Sequence, residues 1–409
     1  MKKIKNLLSN KGVISLNDTL YLNLIIILAP LVNFLSGISI DLYAPSLPAI
    51  TLYFHTSTTA VQNTISTTLM GFAIGCILWG VLFDTLGRKK IIISALLVFI
   101  ISSLLAPHCQ SITQLMVLRF IQGMTTSAMS VGCRSTLADH LTGHRFIVAM
   151  MYASVAYGLG PVIGPFIGGY LQDHFGWQAN FYMFAIFASI ILILFLLFLE
   201  ERFIKPENFT MLHAAIFYKT ILTNKAFIVG AIVFGIIQLQ LLIFPTVGPF
   251  LVEHQLHFSA AIYGNCALLA GAGYLSGVLI NRSLLHLFSQ TKLIHIGFGI
   301  LGVALLSQLI FSLFVGLKLW SLVIPIVFFG ISAGFIYGNI LSKYLKIFPN
   351  NVGATTAILM FLLTLFAAIG VFIISFFKIS SLFHLFLIFL VAIIVQTALY
   401  WYLYTRKLI

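Results

Sequence analysis

The chain has 409 residues, 60% of them hydrophobic and only 8% charged, with a formal net charge of +13. A soluble domain carries about 25% charged residues, so this composition excludes an ordinary soluble fold. Continuous apolar runs such as Ile186–Leu199 exclude a membrane β-barrel, whose strands alternate polar and apolar side chains, and leave helices as the way to satisfy the backbone in lipid.

In chain order, Met1–Thr19 comes first and holds Lys2, Lys3, Lys5 and Lys11. It reads as a retained cytoplasmic tail. The apolar region after it begins near Leu20, runs longer than a secretory signal core, and lacks a small-residue cleavage site. Twelve apolar segments follow, at 20–45, 62–83, 91–107, 112–133, 146–171, 179–199, 226–250, 261–280, 293–316, 319–341, 352–377 and 381–404. Each meets or approaches the roughly 20 residues that a lipid core requires. If the gaps are numbered alternately inside and outside, Lys318 and Lys378 fall outside and Arg119 lies within a span, while every other Lys and Arg falls inside. A frame error of one helix would reverse the sign downstream, so the asymmetry supports both the count and two cytoplasmic termini.

The longest polar break, Glu200–Lys225, follows the sixth span. Its middle, Met211–Tyr218, is mildly amphipathic and suits the membrane surface. The expected organisation is a tail at 1–19, a six-helix bundle at 20–199, a cytoplasmic linker at 200–225 and a second six-helix bundle at 226–409. Two such bundles with a site between them near the midplane are the gross pattern of a secondary transporter.

Other chemistries find no support. The basic residues are dispersed over short loops, which anionic lipid headgroups explain without nucleic acid. Cys76, Cys109, Cys133 and Cys266 show no ligand-like spacing, so neither a disulfide nor a metal site is expected. The common hydrolase, metalloprotease and phosphate-loop signatures do not occur.

Four stretches carry a further signal. Asp41-Leu42-Tyr43-Ala44-Pro45-Ser46-Leu47-Pro48 ends the first span. Gly80 to Lys90, with Asp84, Gly87 and Arg88, links the second and third. Arg119-Phe120-Ile121-Gln122-Gly123 lies in the fourth, continued by Arg134 and Asp139. Gly158 to Gly169 lies in the fifth, with Gly160, Pro161, Gly164, Pro165, Gly168 and Gly169, followed by Gly176-Trp177. In this order and at these boundaries they resemble the major facilitator superfamily, and within it the Bcr/CflA branch of drug-resistance exporters. Gly248-Pro249-Phe250-Leu251 resembles the same branch. Thr85, Cys76 and Gln178 depart from the family pattern, and the corresponding link in the second half, Gly277–Arg282, lacks the acid. The resemblance implies an all-α membrane protein of the major facilitator fold. It also implies that Asp84 latches the two halves in the outward-facing state, and that the helix 5 pattern goes with exporters.

Asp41 and Arg119 are the sharpest pair on physical grounds. At 1.5 Å per residue both lie roughly 10 Å below the outer surface, compatible with contact if their helices adjoin. A charge within a span costs at least about 2.5 kcal/mol, and such groups normally face a cavity and are paired. Asp41 is therefore a candidate to take and release protons, with Arg119 setting its affinity or meeting substrate. The plainer alternative is that Asp41 introduces the Tyr43–Pro48 turn. Asn33, Gln122, Gln238, Gln240, Tyr337 and Asn339 within spans, and Arg134 at the inner edge of the fourth, are polar residues and candidates to line the cavity. The glycines of the fifth span equally suit close helix packing.

These readings converge on a monomeric, proton-coupled antiporter of a bacterial inner membrane. It would export small amphipathic compounds, with the proton as coupling ion, no other cofactor, and substrate and lipid as its partners. The alternatives are transport of one endogenous metabolite such as a siderophore and, more remotely, a membrane sensor.

Overall fold

The computed structural model describes residues 18–200, 218–344, 347–348 and 352–406, with the side chains of all of these except 18, 19, 81, 84, 86 and 352–354. Most of the tail, the middle of the linker and the Asp84 side chain lie outside the described residues. The described residues form helices and no strands. Twelve long helices are α1 (Asp18–Asp41), α2 (Thr58–Leu86), α3 (Arg88–Leu105), α4 (Ile112–His140), α5 (Gly143–Phe175), α6 (Gln178–Phe198), α7 (Lys225–Pro249), α8 (Ala260–Leu284), α9 (Gln290–Phe314), α10 (Leu319–Tyr344), α11 (Val352–Ser375) and α12 (Leu382–Thr405).

Eleven of them are long and apolar enough to cross a membrane. The twelfth, α4, is as long as α2 at 29 residues. It is less apolar because its buried face carries Arg119, Gln122, Thr125, Thr126, Ser127 and Ser130. Several helices overrun their apolar segments, as with Thr58–Leu86 against 62–83. Polar residues beyond the lipid core extend them, and serine or asparagine caps start them. Ser57, Ser111, Asn224, Ser259, Ser289 and Ser381 each accept a bond from a first-turn amide. The first span runs on past 45, through a 3-10 turn at Ala44–Ser46 and a short helix at Leu47–Tyr53. Pro45 and Pro48 sit in the first turns of these pieces, where a missing N–H costs nothing.

In the first half, α1 packs on α5 and α4, α2 on α4, and α3 on α4 and α6. In the second, α10 packs on α8 and α9, while α7 packs on α11 and α12. The halves meet along α2–α11 and α5–α8. Glycines permit the closest approaches. A Cβ on Gly160 would overlap the backbone of Gly37 and Ile38, one on Gly168 the Leu42 carbonyl, and one on Gly123 the Thr68 carbonyl. One end of the bundle carries Arg88, Lys89, Lys90, Arg145, Lys219, Lys225, Arg282, Lys292, Lys343 and Arg406; it is termed the basic end, and the opposite one the far end.

A central cavity closed at its far end

A cavity of about 1170 Å³ lies between the halves. Gly80, Ala138, Phe146, Tyr218, Leu341 and Thr356 carry its lining to the basic end. The far end is shut by hydrogen bonds between the halves. Thr59 Oγ1 donates to the Ser375 carbonyl at 2.8 Å, Ser375 Oγ donates to Asn63 Oδ1 at 2.8 Å, and Gln62 Nε2 donates to the Thr246 carbonyl at 3.1 Å. The Asp173 carboxylate, at the end of α5, accepts from the first amides of α8, Ala260 at 3.1 Å and Ala261 at 3.0 Å. Beside it, Gly169 lies directly on the Ala260 carbonyl.

Among the described residues, Asp41 and Arg134 are the charged ones lining the cavity, and neither side chain has an ion pair or a hydrogen bond there. Around them the wall is mostly apolar, with Tyr157, Tyr274, Tyr337, Gln238 and Gln240 as polar points. Gln240 also donates to Gln396 Oε1 at 2.7 Å.

The direct Asp41–Arg119 contact expected from their depths is not formed. Arg119 is fully buried and outside the cavity lining. Its guanidinium donates to the Ser39 carbonyl at 3.0 Å and to Gln122 Oε1 at 2.8 Å, and it lies 4.1 Å above the centre of the Tyr43 ring. Residues 39 and 43 are four apart and share the face toward α4. Asp41, two residues from each, is turned about 200° away, toward the cavity. Gln122 passes the network on to Ser103 of α3 at 2.9 Å. Tyr43 bonds Thr64 Oγ1, and Ser46 accepts from Asn180 Nδ2 at 2.7 Å, so the turn after α1 is anchored to α2 and α6.

Other expected lining residues are turned inward as well. Asn33 donates to the Ala153 carbonyl at 2.8 Å, and Asn339 to Asn281 Oδ1 at 2.7 Å. Both join helices, and neither lines the cavity. The fifth-span motif divides its work. Gly160, Gly164 and Gly168 pack on α1, Gly169 meets α8, and Pro161 and Pro165 line the cavity. In the link between α2 and α3, Gly87 has φ +89°, a region that L side chains avoid. Arg88 pairs with Asp139 at 2.7 Å and also donates to the Phe83 carbonyl, tying the link to α4. Among the described residues, Gly80 has only Tyr218 Oη at 3.9 Å near its Cβ position, because α2 borders open cavity there.

Two features escaped the sequence reading. Tyr157 stands immediately before the glycine motif and lines the cavity. Asp173 occupies the C-terminal turn of its own helix, an unfavourable place for an acid. That misfit was the available signal that its partner lies on another element.

The family model described as Major Facilitator Superfamily matches residues 31–371. An "Uncharacterized transporter" of Rickettsia bellii is 29% identical over 67% of this chain and 69% of its own length. The bicyclomycin resistance protein homolog of Haemophilus influenzae is 29% identical over 44% of each chain. The chloramphenicol resistance protein CraA of Acinetobacter baumannii is 24% identical over 68% of this chain and 70% of its own. The xylose transporter XylE from E. coli, in a partially occluded inward-open conformation, is 16% identical and shares the fold with a TM-score of 0.72, over 94% of this chain and 97% of that one. Twelve long helices, a cavity between two halves and a family match over most of the length lead to one assignment: the chain belongs to the Major Facilitator Superfamily, as a multi-pass membrane transporter.

Proposed function

We propose that this transporter exports small amphipathic compounds in exchange for protons, as a member of the Bcr/CflA branch. The basic end faces the cytoplasm of a bacterial inner membrane, as the charge asymmetry of the loops supports. The observation that carries the reading is the Asp41 carboxyl, without a partner among the described residues, in a largely apolar cavity that reaches the basic end and is shut at the far end. A compound enters from the cytoplasm, the halves rock about α2–α11 and α5–α8, and the far-end bonds part to release it. Asp41 takes up a proton from outside and returns it inside. Similarity to the bicyclomycin and chloramphenicol resistance proteins supports drug-like substrates. At −100 mV one inward proton supplies about 2.3 kcal/mol before any pH term, enough for roughly fiftyfold accumulation.

The test is Asp41→Asn in proteoliposomes, with chloramphenicol and bicyclomycin among the compounds assayed. The amide keeps the shape and removes the titration. Transport driven by a pH gradient is expected to vanish while downhill counterflow persists. Gradient-driven transport at the wild-type rate would remove Asp41 from the coupling mechanism.

A further inference from the structure

Along α5 near the basic end, the cavity and the outer surface of the bundle share side chains. Phe146, Met150 and Ser154, spaced four apart, line the cavity. The same three residues line an open groove on the outside of the helix, together with Ile147, Met151 and Val155. Among the described residues, those lining that groove all belong to α5. The close approaches between α5 and α8 sit farther along, at Gly271 on Val162, Gly264 on Pro165 and Gly169 on Ala260. Nearer the basic end, Gly158 has nothing within 4 Å of its Cβ position although it lines the cavity. The interior is thus separated from the lipid-facing surface by one ridge of side chains.

Arg134 lines the same cavity at the depth of this ridge. It is six residues from the end of α4, and Met150 is seven from the start of α5, with only Leu141 and Thr142 between the two helices. Both therefore lie about 10 Å below the basic end. The Arg134 side chain lines the cavity and, among the described residues, has no hydrogen bond or ion pair. It is also fifteen residues, roughly 22 Å, along α4 from Arg119, which reaches the Ser39 carbonyl beside Asp41. A group held at Arg134 therefore stays clear of the Asp41 carboxyl.

We infer that the cavity is loaded sideways from the adjoining leaflet by amphipathic monoanions, with the tail in the α5 groove and the carboxylate taken by Arg134. A planar guanidinium with free donors suits a carboxylate, and the pair forms charge-assisted bonds in a poorly hydrated site. An amphipathic acid partitions with its head near the interface and its tail among acyl chains, which is the depth and polarity this groove and arginine present. The aromatic and tyrosine-rich interior then receives the tail as the molecule slides in.

The inference deepens the reading of the cavity as a transport site, and its test needs no gradient. Binding of 4-octylbenzoate and its neutral isostere 4-octylbenzamide is measured on the full chain in lipid nanodiscs, with empty nanodiscs as background. The acid is expected to bind about tenfold tighter, the equivalent of about 1.4 kcal/mol. Arg134→Gln should remove that preference and leave the affinity for the amide unchanged, while Arg134→Lys keeps part of it. Ile147 and Val155 touch the groove and not the cavity. Ile147→Trp and Val155→Trp should therefore slow association from preloaded nanodiscs severalfold without changing the equilibrium affinity. Equal affinity for acid and amide in the wild type, or a preference that survives Arg134→Gln, overturns the role of Arg134. Unchanged association in both tryptophan variants overturns the sideways route. Any of these results leaves the pH-driven export assay standing, and failure of that assay leaves this binding measurement intact.

Discussion

Two arginines of the fourth helix show how little a residue's type says about its task. Arg119 is fully buried and holds α1, α4 and, through Gln122, α3 in one network. Arg134 lines the cavity, its donors unused among the described residues. Removing Arg119 strands the Ser39 carbonyl and the Gln122 amide oxygen and strips the cation from Tyr43. Breaking a buried charged network costs about 3–5 kcal/mol. Arg119→Ala is therefore expected to lower the thermal midpoint of the detergent-solubilised protein by many degrees. Arg119→Lys recovers part of the loss, since an ammonium lacks the guanidinium fork. Arg134→Ala should melt close to the wild type. Equal midpoints for the Arg119 and Arg134 alanine variants would show that the network contributes nothing to stability.

At the level of the element, α5 carries two surfaces on one glycine-rich stretch. Gly160, Gly164 and Gly168 admit α1, and Gly169 admits α8, while Gly158 borders open cavity. A leucine at 168 meets the Leu42 backbone, which cannot swing aside as a side chain would, and overpacking of this kind costs about 1–3 kcal/mol or more. Gly168→Leu is expected to reduce both folded yield and thermal midpoint. Gly158→Leu should fold normally and slow transport by narrowing the cavity. Thermal melts and initial transport rates of the two variants distinguish these effects. If Gly168→Leu melts like the wild type, α1 and α5 do not pack as described.

For the whole molecule, the far-end bonds set the balance between the closed state seen here and one open to the other side. Asp173 contributes two of them, to Ala260 and Ala261. Each is worth about 1 kcal/mol net, so losing both shifts the equilibrium by up to about thirtyfold. The reporter is Cys76, which lines the cavity, in protein whose Cys109, Cys133 and Cys266 are replaced by serine. An impermeant thiol reagent added outside whole cells should label Cys76 severalfold faster in Asp173→Ala than in the parent. No change in rate would mean that the closure rests on α2, α7 and α11 alone. This assay also tests which end faces outward.

How much could be read beforehand differs sharply between backbone and side chain. Span number and alternation were legible because lipid demands long apolar helices and loop charge marks their frame. Even α4, read as an apolar segment at 112–133 but less apolar over its full length, fits that frame. The turn after Asp41 and the close packing at Gly160 and Gly168 were legible because proline and glycine restrict or free the backbone locally. The direction each polar side chain faces was not. Asn33, Gln122 and Asn339 satisfy one another's helices, Asp41 faces the cavity rather than Arg119, and Asp173 reaches across to α8. Length and charge determine that a segment crosses a membrane, but rotation about its axis is set by the sum of contacts with all its neighbours. Those neighbours, and the end at which the two halves close, exist only once the chain has packed.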